Sequence, residues 1–182
     1  KGEVHCLVGE NGAGKSTLVK IIAGAYRKDA GSMTVDGQPV DVRDVHHAHR
    51  LGIVEIYQEL MLVPAMTVVE NIFLGNERAV MGQLDWKEMI ARTRDALARL
   101  NSDISPAARV DQLSTAQQQM VEIAKALMLE TKILILDEPT GSLTGKNTED
   151  LFRIIRSLRD KGVSMIYISH RLEEFTQIAD RL

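Results

Sequence analysis

"GENGAGKS", which runs from Gly9 to Ser16, decides the fold of this chain of 182 residues. The apolar stretch Val4 to Val8 precedes it and predicts a short buried strand. Apolar residues at helical spacing follow it, and Gly24 is placed to end that helix. A glycine-rich loop that carries a lysine and a serine between a strand and a helix matches the phosphate-binding loop of nucleotide-binding proteins.

The chemistry of a phosphate loop explains its residue types. Gly12 and Gly14 let the backbone turn tightly and aim N–H groups at phosphate oxygens. The positive end of the following helix adds to that attraction, Lys15 places a charge near the β- and γ-phosphates, and Ser16 can ligate Mg²⁺. The flanking strand and helix disfavour the alternative, a glycine-rich turn with a chance lysine. The predicted nucleotide-binding residues are Gly9, Glu10, Asn11, Gly12, Ala13, Gly14, Lys15, Ser16 and Thr17.

A second predicted part of the site is the acidic pair at the end of "ILILDE". Asp137 and Glu138 follow a buried strand, at the sheet edge where ligands bind in open α/β folds. Asp137 suits a Mg²⁺ role, and Glu138 can polarise a water for in-line attack on a γ-phosphate. Alone, such a pair is a common surface turn. Behind a phosphate loop, the functional interpretation is favoured.

Two further polar residues also follow predicted strands. His170 comes after "MIYIS" and can donate to a γ-phosphate or orient the water, while Gln58 comes after "IVEIY" and can reach the metal or the water. Each is a weak signal alone, and their shared position at strand ends strengthens both. His46, His47 and His49 are predicted to lie on a solvated helix face, because a metal site needs more ligands. The predicted Mg²⁺ ligands are Ser16, Gln58 and Asp137.

The rest of the chain alternates strands and helices, which predicts a largely parallel sheet covered on both faces. "SMTVDGQPVDV" predicts an antiparallel pair about Asp36-Gly37. Residues from about 60 to 130 are predicted to form a helical subdomain, with capping boxes at Thr67 and Asp85. The fold class is therefore α/β, a P-loop NTPase with a mainly parallel sheet, a small antiparallel β part and a helical subdomain. One helix face is predicted to carry Trp86, Ile90, Thr93, Leu97 and Leu100.

Composition excludes several classes of function. The net charge of −3 gives no basic field for nucleic acid. The single cysteine, Cys6, excludes an internal disulfide and is typical of a reducing compartment. No apolar stretch is long enough to span a bilayer, and the first residues show no signal-peptide pattern. The abrupt ends, Lys1 and "IADRL", predict that the chain is part of a longer polypeptide.

The segment "LSTAQQQ", from Leu113 to Gln119, has two interpretations. Ser114 and Gln117 have the spacing of a capping box, which predicts an ordinary capped helix. A capped helix start is also a site that attracts a phosphate. The residues alone leave both interpretations open.

Taken in order, these motifs resemble the ATP-binding cassette (ABC) family over essentially the whole chain. The resemblance rests on the phosphate loop, the glutamine loop at Gln58, a signature at "LSTAQQQ", "ILILDEPT", "GSLT" and "ISH" ending at His170. Within the family, "GEVHCLVGENGAGKSTLVKIIAG", "YQELMLVPAMTVVENIFLG", "QQQMVEIAKAL" and "YISHRLEE" look most like the first ATPase half of bacterial monosaccharide importers. These include the ribose, xylose, arabinose and galactose systems, in which two ATPase domains are fused.

The resemblance implies that residues 1–182 form one ATPase domain, which pairs head to tail with a second one, fused or homodimeric. ATP and Mg²⁺ would lie between the phosphate loop of one domain and the signature of the other. Glu138 would be the catalytic base, His170 would contact the γ-phosphate, and Gln58 would link the site to the membrane subunits. The segment after Gln58 and the helical subdomain would receive the coupling helices of those subunits. The signature residues would be Ser114, Thr115, Ala116 and Gln117.

The resemblance also implies partners and a location. The domain would power sugar import at the cytoplasmic face of the bacterial inner membrane, as a peripheral subunit without a transmembrane segment. It would bind permease subunits, serve a periplasmic sugar-binding protein indirectly, and bind no nucleic acid.

The sequence departs from the broad family pattern in three places. Thr115 and Ala116 replace two signature glycines, and Thr144 replaces an aspartate, as often happens in the monosaccharide group. The aromatic residue that stacks on adenine would precede residue 1. These departures motivate an alternative, a low-turnover regulatory half of a cassette pair. Another alternative is a soluble cassette ATPase acting in translation or on chromosomes. The short gap without heptads disfavours the chromosomal type, and the modest acidic charge disfavours a nucleic-acid partner.

Overall fold

The computed structural model of the chain describes residues 1–10, 12–141, 143 and 145–182, with Lys146 described by its backbone only. Two residues singled out above, Asn11 and Thr144, therefore lie outside the described residues. The elements in chain order are β1 (Val4–Leu7), α1 (Lys15–Ile22), β2 (Met33–Val35), β3 (Gln38–Val40), α2 (Val45–Arg50), β4 (Ile53–Ile56), α3 (Val68–Phe73), β5 (Ala79–Val80), β6 (Gln83–Leu84), α4 (Trp86–Arg99), a 3-10 turn (Val110–Gln112), α5 (Thr115–Leu127), β7 (Ile133–Asp137), α6 (Gly145–Asp160), β8 (Ser164–Ile168) and α7 (Leu172–Ile178).

The central sheet has the strand order β1-β8-β7-β4, and all its strand pairs are parallel. At its carboxyl edge, Ile168 of β8 pairs with Leu7 on one side and with Asp137 on the other. Leu136 pairs with Ile56 in the next strand. Because the strands run in one direction, the four loops that follow them leave the sheet at this edge. These are the loops that carry the predicted site residues.

Both faces of the sheet are covered, as predicted. Residues 134 and 136 of β7 join a large core with α3 to α7, whereas Ile135 joins a smaller core with Val19 of α1 and Ala48 of α2. This alternation is the two-residue period of a strand that is buried on both faces. It places the helix of the phosphate loop on one face of the sheet and α7 on the other.

Two predicted helix starts are confirmed. Thr67 begins α3 with a complete capping box, in which Glu70 Oε2 accepts from the Thr67 N–H at 2.7 Å. Asp85 caps α4, where its side chain accepts from the Glu88 N–H at 3.0 Å, but the predicted capping box is incomplete because the Asp85 N–H donates to Arg78 O at 2.8 Å. The predicted antiparallel pair, β2 with β3, also forms, with Asp36 at φ +51° in the turn. Local side-chain chemistry was sufficient for all three predictions.

The predicted buried face of α4 is wrong at one position. Trp86 is 43% exposed. It is the first residue of α4, and the buried residues of the helix begin three positions later, at Met89. Met89 takes the buried position instead, while Thr93, Leu97 and Leu100 are buried as predicted. Ile90 packs against the core while partly buried.

The segment 60–130 also contains a small hairpin that the sequence reasoning missed. Strands β5 and β6 pair through Ala79 with Leu84, and the turn residues Met81 and Gly82 both have positive φ. Two such residues define a tight hairpin turn. Strands of two residues are too short for a hydrophobic period to predict. Within the described residues, no helix is both long enough and apolar enough to cross a membrane.

Candidate functional site

The phosphate loop is shaped by two glycines. Gly12 has φ +85° and Gly14 has φ +92°, and a Cβ built on either would meet no atom within 4 Å. The left-handed backbone, and not crowding, therefore requires glycine at these positions. Between them, Ala13 donates its N–H to Glu10 O at 3.1 Å, which closes the turn.

The loop leads into an open helix start. Gly14 is the N-cap of α1, and no side chain caps this end. The first N–H groups of a helix have no partner within the helix, so the first turn, with Ser16 and Thr17 exposed, can bind an anion. The N–H group of Leu18 is the first to bond back into the helix, to Gly14 O at 2.9 Å.

Lys15 folds back across this loop. Its Nζ donates to Gly9 O at 2.7 Å and to Glu10 O at 3.1 Å. Both acceptors are neutral carbonyls, so the bonds hold the ammonium in place without neutralising its charge. The positive charge is therefore held at the mouth of the loop, where the phosphate group of a ligand would bind.

Glu138 has an unusual backbone. It lies directly after β7 with φ +47°, a left-handed conformation that costs a residue with a side chain about 1–2 kcal/mol. Its N–H donates to Ile168 O at 3.0 Å, and its carbonyl accepts from Gly141 N at 3.1 Å. Strain of this kind persists only where surrounding contacts hold it, and it is common at functional sites.

This backbone places the Glu138 side chain next to His170. Glu138 Oε2 lies 3.3 Å from His170 Nδ1, so the contact joins the ends of the neighbouring strands β7 and β8. The histidine side chain is 62% exposed and the glutamate side chain 29%. The second ring nitrogen of an exposed histidine remains available to a ligand.

Asp137 adds a second carboxyl group to this edge, next to that of Glu138. Burial raises the pKa of the Asp137 carboxyl, and the adjacent Glu138 charge raises it further. The charges of Lys20 and Lys15 act in the opposite direction and lower the pKa of this carboxyl. Two neighbouring carboxylates beside a phosphate loop favour a divalent cation, so the donor set fits Mg²⁺.

Gln58 approaches the same loop from the other side. It follows β4, and a Cβ built on Gly141 would lie 3.9 Å from Gln58 Nε2. The amide therefore lies beside the segment that begins at Glu138. The structure thus brings Lys15, Glu138, His170 and Gln58 to one edge of the sheet, although their chemical roles stay predictions.

The signature residues lie elsewhere. Ser114 caps α5 with the predicted capping box: its Oγ accepts from the Gln117 N–H at 3.3 Å, and Gln117 Oε1 accepts from the Ser114 N–H at 3.0 Å. Thr115 and Ala116 are the first two residues of the helix. Ser114, Ala116 and Gln117 line a cleft of about 570 Å³ with α6, and its described lining includes no residue of the phosphate loop.

Sequence reasoning missed a buried carboxylate near the sheet edge that carries Glu138 and His170. Glu174 in α7 is 4% exposed and accepts hydrogen bonds from Thr140 and Tyr167. A signal was present, since Glu174 stands four residues before Ile178 and next to Phe175, and both of these are buried. An acidic residue on an apolar helix face needs partners, and finding them requires the tertiary structure.

The histidines of α2 gather no further metal ligands. His49 is partly buried, and this burial lowers its pKa, whereas the ring Nδ1 of His47 accepts from the Arg43 N–H at 3.4 Å. In the part of the chain that the structure describes, no group of three or more His, Cys, Asp or Glu side chains could hold a metal ion.

A parallel sheet with a phosphate loop, an acidic strand end and a histidine at one edge defines a P-loop nucleotide-binding domain. Residues 1–141 match the ABC transporter family, to which this chain belongs. The predicted family and fold class are both confirmed.

Two similar proteins of known name are ribose import ATP-binding proteins. The chain is 51% identical over 181 residues to ribose import ATP-binding protein RbsA 1 of Rubrobacter xylanophilus, and 52% identical over 182 residues to ribose import ATP-binding protein RbsA of Hahella chejuensis. Each alignment covers all of this chain, which spans 36% of the length of each relative.

Solved structures agree with the fold. A nucleotide-free ATP-binding cassette from an ABC transporter superposes with a TM-score of 0.86 at 28% identity, over 99% of this chain and 75% of that one. A cassette solved as a dimer in a post-hydrolysis state with ADP and phosphate gives a TM-score of 0.77 at 25% identity, over 97% and 78% of the two chains.

Proposed function

We propose that this chain is an ATP-binding and ATP-hydrolysing domain that powers import of a monosaccharide through a membrane permease. The observation that carries the proposal is the Glu138–His170 pair, 3.3 Å apart at the sheet edge that also carries the Lys15 loop. The relatives named as ribose import ATP-binding proteins support the choice of a sugar over other cargo.

In the proposed reaction, the N–H groups of the phosphate loop bind the phosphates of ATP, and Lys15 neutralises charge on the β- and γ-phosphates. Glu138 accepts a proton from the attacking water, and His170 donates a hydrogen bond to a γ-phosphate oxygen. Ser16, Asp137 and Gln58 would hold Mg²⁺, which supplies further positive charge to the phosphate oxygens.

A second cassette would complete this site. The signature at Ser114 lies in a cleft apart from the phosphate loop, so it suits an ATP held by another domain. Its capped helix start offers N–H groups to a γ-phosphate. A related cassette that was solved as a dimer supports this arrangement. ATP would then favour the closed pair by its higher affinity for that state, and hydrolysis would release it.

We place the permease contact at a groove of about 560 Å³ between α2, α3, α4 and α5. A smaller cavity of about 170 Å³ shares His49, Lys125 and Leu129 with it and extends to Tyr57, next to Gln58. Gln58 in turn lies beside the loop that begins at Glu138. A permease segment bound in the groove would therefore be linked to Glu138 through the smaller cavity and Gln58. The groove has cationic side chains around an apolar floor: Arg50, Arg78, Arg92 and Lys125 around Ile72, Phe73, Leu74, Met128 and Leu129.

Reconstitution tests the proposal. The full-length protein, purified with the membrane subunits that accompany it, is placed in vesicles at the face that corresponds to the cytoplasm. ATP supplied on that face should drive uptake of one labelled sugar from a panel of ribose, xylose, arabinose and galactose, delivered with its periplasmic binding protein. If the protein hydrolyses ATP but binds no membrane subunit and drives no sugar uptake, the result would instead support a soluble cassette ATPase.

The same vesicles test the groove. We expect the double change Arg78→Glu and Arg92→Glu to reduce permease binding, because it reverses the charge at the groove rim. Arg43→Glu is the matched control, because Arg43 is exposed and lies outside the groove lining. Equal permease binding by the double variant and the control would exclude this groove as the contact.

A second candidate function is a low-turnover regulatory half of a cassette pair. It is favoured by Thr115 and Ala116, which occupy the first helical positions where the family pattern has glycine.

Changing both Thr115 and Ala116 to glycine should raise turnover several-fold at the site that this signature completes, because glycine permits closer approach of the backbone to phosphate. Turnover is measured at the two sites of the full-length protein separately. Equal wild-type rates at both sites would exclude the regulatory role, and an unchanged rate in the glycine variant would mean that Ser114 and the helix end suffice.

A further inference from the structure

One buried carboxylate joins the two chain segments that lead to the proposed catalytic pair. Glu174 lies in the first turn of α7 and is 4% exposed. Its Oε1 accepts from the Thr140 hydroxyl at 2.7 Å, and its Oε2 accepts from the Tyr167 hydroxyl at 2.8 Å. Both donors are also buried, at 2% and 0% exposure.

Each donor lies close in sequence to a different member of the proposed catalytic pair. Thr140 stands two residues after Glu138, and its carbonyl accepts from the Leu143 N–H at 3.1 Å. Tyr167 stands three residues before His170, in β8. The two oxygens of one carboxylate therefore bond to the segment of Glu138 and to the segment of His170.

The His170 loop is also fastened on its other side. Arg171 donates its N–H to Ser169 Oγ at 3.0 Å, and its carbonyl accepts from the Glu174 N–H at 3.1 Å. Arg171 Nη1 lies 3.7 Å from Glu174 Oε1. His170 thus lies in a short turn with Tyr167 at one end and Glu174 at the other, while its own side chain is exposed.

Two simpler explanations of Glu174 fit less well. An acidic residue in a first helical turn often stabilises the helix by bonding its N–H groups. Here the carboxylate accepts from two hydroxyls instead, and the N-cap Arg171 forms no side-chain cap. The second explanation is that the buried carboxylate simply stabilises the fold. It fits less well because an apolar residue of similar size often gives equal stability.

The hydrogen-bond chemistry suits a rigid connection. Bonds from O–H to an ionised oxygen are short and stronger than those between neutral groups. Burial raises the pKa of the Tyr167 phenol, and the bond to Glu174 raises it further, so the phenol remains a donor. Catalytic groups must be held within about 0.5 Å of their productive geometry, and hydrogen bonds from neighbouring buried groups help to hold them there.

We propose that Glu174 is a positioning residue that sets the distance between Glu138 and His170 through its bonds to Thr140 and Tyr167. The inference rests on the proposed function, since it assumes that this pair carries out ATP hydrolysis. It assigns no contact between Glu174 and ATP.

The test removes one of the two bonds with little change of shape. Thr140→Val deletes the hydroxyl that binds Glu174, and Thr140→Ser keeps it. The matched control is Thr131→Val, which deletes a threonine hydroxyl that donates to Ala126 O at 2.6 Å, before the opposite end of β7. Each variant is made in the full-length protein with its membrane partners, and kcat, KM for ATP, affinity for a non-hydrolysable ATP analogue and Tm are measured.

We expect Thr140→Val to lower kcat about ten- to a hundredfold, with KM and analogue affinity within about twofold. Thr140→Ser should restore kcat, and Thr131→Val should lower Tm without lowering kcat. Tyr167→Phe removes the other bond to Glu174 and should cause the same loss of kcat. It provides the test if Thr140→Val does not fold. Equal kcat values in Thr140→Val, Tyr167→Phe and Thr131→Val would overturn the inference.

Glu138→Gln separates this result from the proposed function. If that variant hydrolyses ATP at the normal rate, the assignment of the base is wrong, and the positioning role of Glu174 is then wrong as well. If Glu138→Gln stops turnover while Thr140→Val and Tyr167→Phe keep normal kcat, the positioning inference alone is wrong.

Discussion

Glu138→Gln should reduce ATP turnover by about 10²- to 10⁴-fold, the usual contribution of a general base, while leaving ATP affinity nearly unchanged. The amide cannot accept the proton of the attacking water at neutral pH. We propose Glu138 for this role because it follows β7 at the carboxyl edge of the sheet and lies 3.3 Å from His170. We expect the loss in kcat and not in KM, because the base acts in the transition state.

The structure explains why binding should survive this change. Glutamine has nearly the same shape as glutamate, so the residue can keep its backbone at φ +47°. The Glu138 charge raises the pKa of Asp137, so its removal lowers that pKa and leaves Asp137 more fully ionised. The proposed Mg²⁺ ligand is therefore not weakened, and neither is the Lys15 loop.

Glu173→Gln is the matched control. It makes the same chemical change at an exposed glutamate of α7 and should leave turnover at the wild-type rate. Single-turnover hydrolysis and equilibrium binding of ATP measure the two effects separately. A Glu138→Gln variant with the turnover of this control would mean that another group takes the proton.

The sequence predicted those parts of the site that depend on local chemistry. The strand, loop and helix around Lys15 are contiguous, so residue types and hydrophobic period suffice to place them. The parallel sheet then follows from alternating strands and helices, and it brings four strand ends to one edge. The capping boxes at Thr67 and Ser114 involve residues three apart, which a sequence shows directly.

The remaining features depend on contacts between distant residues. Thr140 and Glu174 are 34 positions apart, and no local pattern indicates that one bonds to the other. The approach of Gln58 to Gly141 joins β4 to the loop after β7, which only the strand order decides. The left-handed backbone of Glu138 is also a tertiary result, because a residue with a side chain adopts it only under constraint.

Lys15→Ala should produce the other large effect, a loss of ATP affinity of about ten- to a hundredfold. A charge-assisted bond contributes about 1.5–3 kcal/mol, and each 1.4 kcal/mol corresponds to a tenfold change in affinity. The loss should fall on ATP more than on AMP, since the proposed contacts of Lys15 are with the β- and γ-phosphates. Isothermal titration of the full-length protein with ATP and with AMP measures both affinities.

The loop geometry makes this effect specific to position 15. Lys15 Nζ is held by Gly9 O at 2.7 Å and by Glu10 O at 3.1 Å, so the ammonium is already placed before a nucleotide binds. A preorganised charge loses little conformational entropy on binding. Arginine at this position should not restore affinity, because a planar guanidinium cannot reproduce the bonds of a compact ammonium to these two carbonyls.

Lys20→Ala is the control that separates position from charge. Lys20 belongs to the same helix and also lowers the pKa of Asp137, but its Nζ lies 5.3 Å from the centre of the Tyr26 ring and outside the phosphate loop. Its removal should leave ATP affinity within about threefold, since it takes away only a more distant charge that solvent screens. Equal losses in Lys15→Ala and Lys20→Ala would mean that the general positive potential of α1 attracts the nucleotide. A loss confined to Lys15→Ala would mean that the ammonium held by Gly9 and Glu10 binds the phosphates directly.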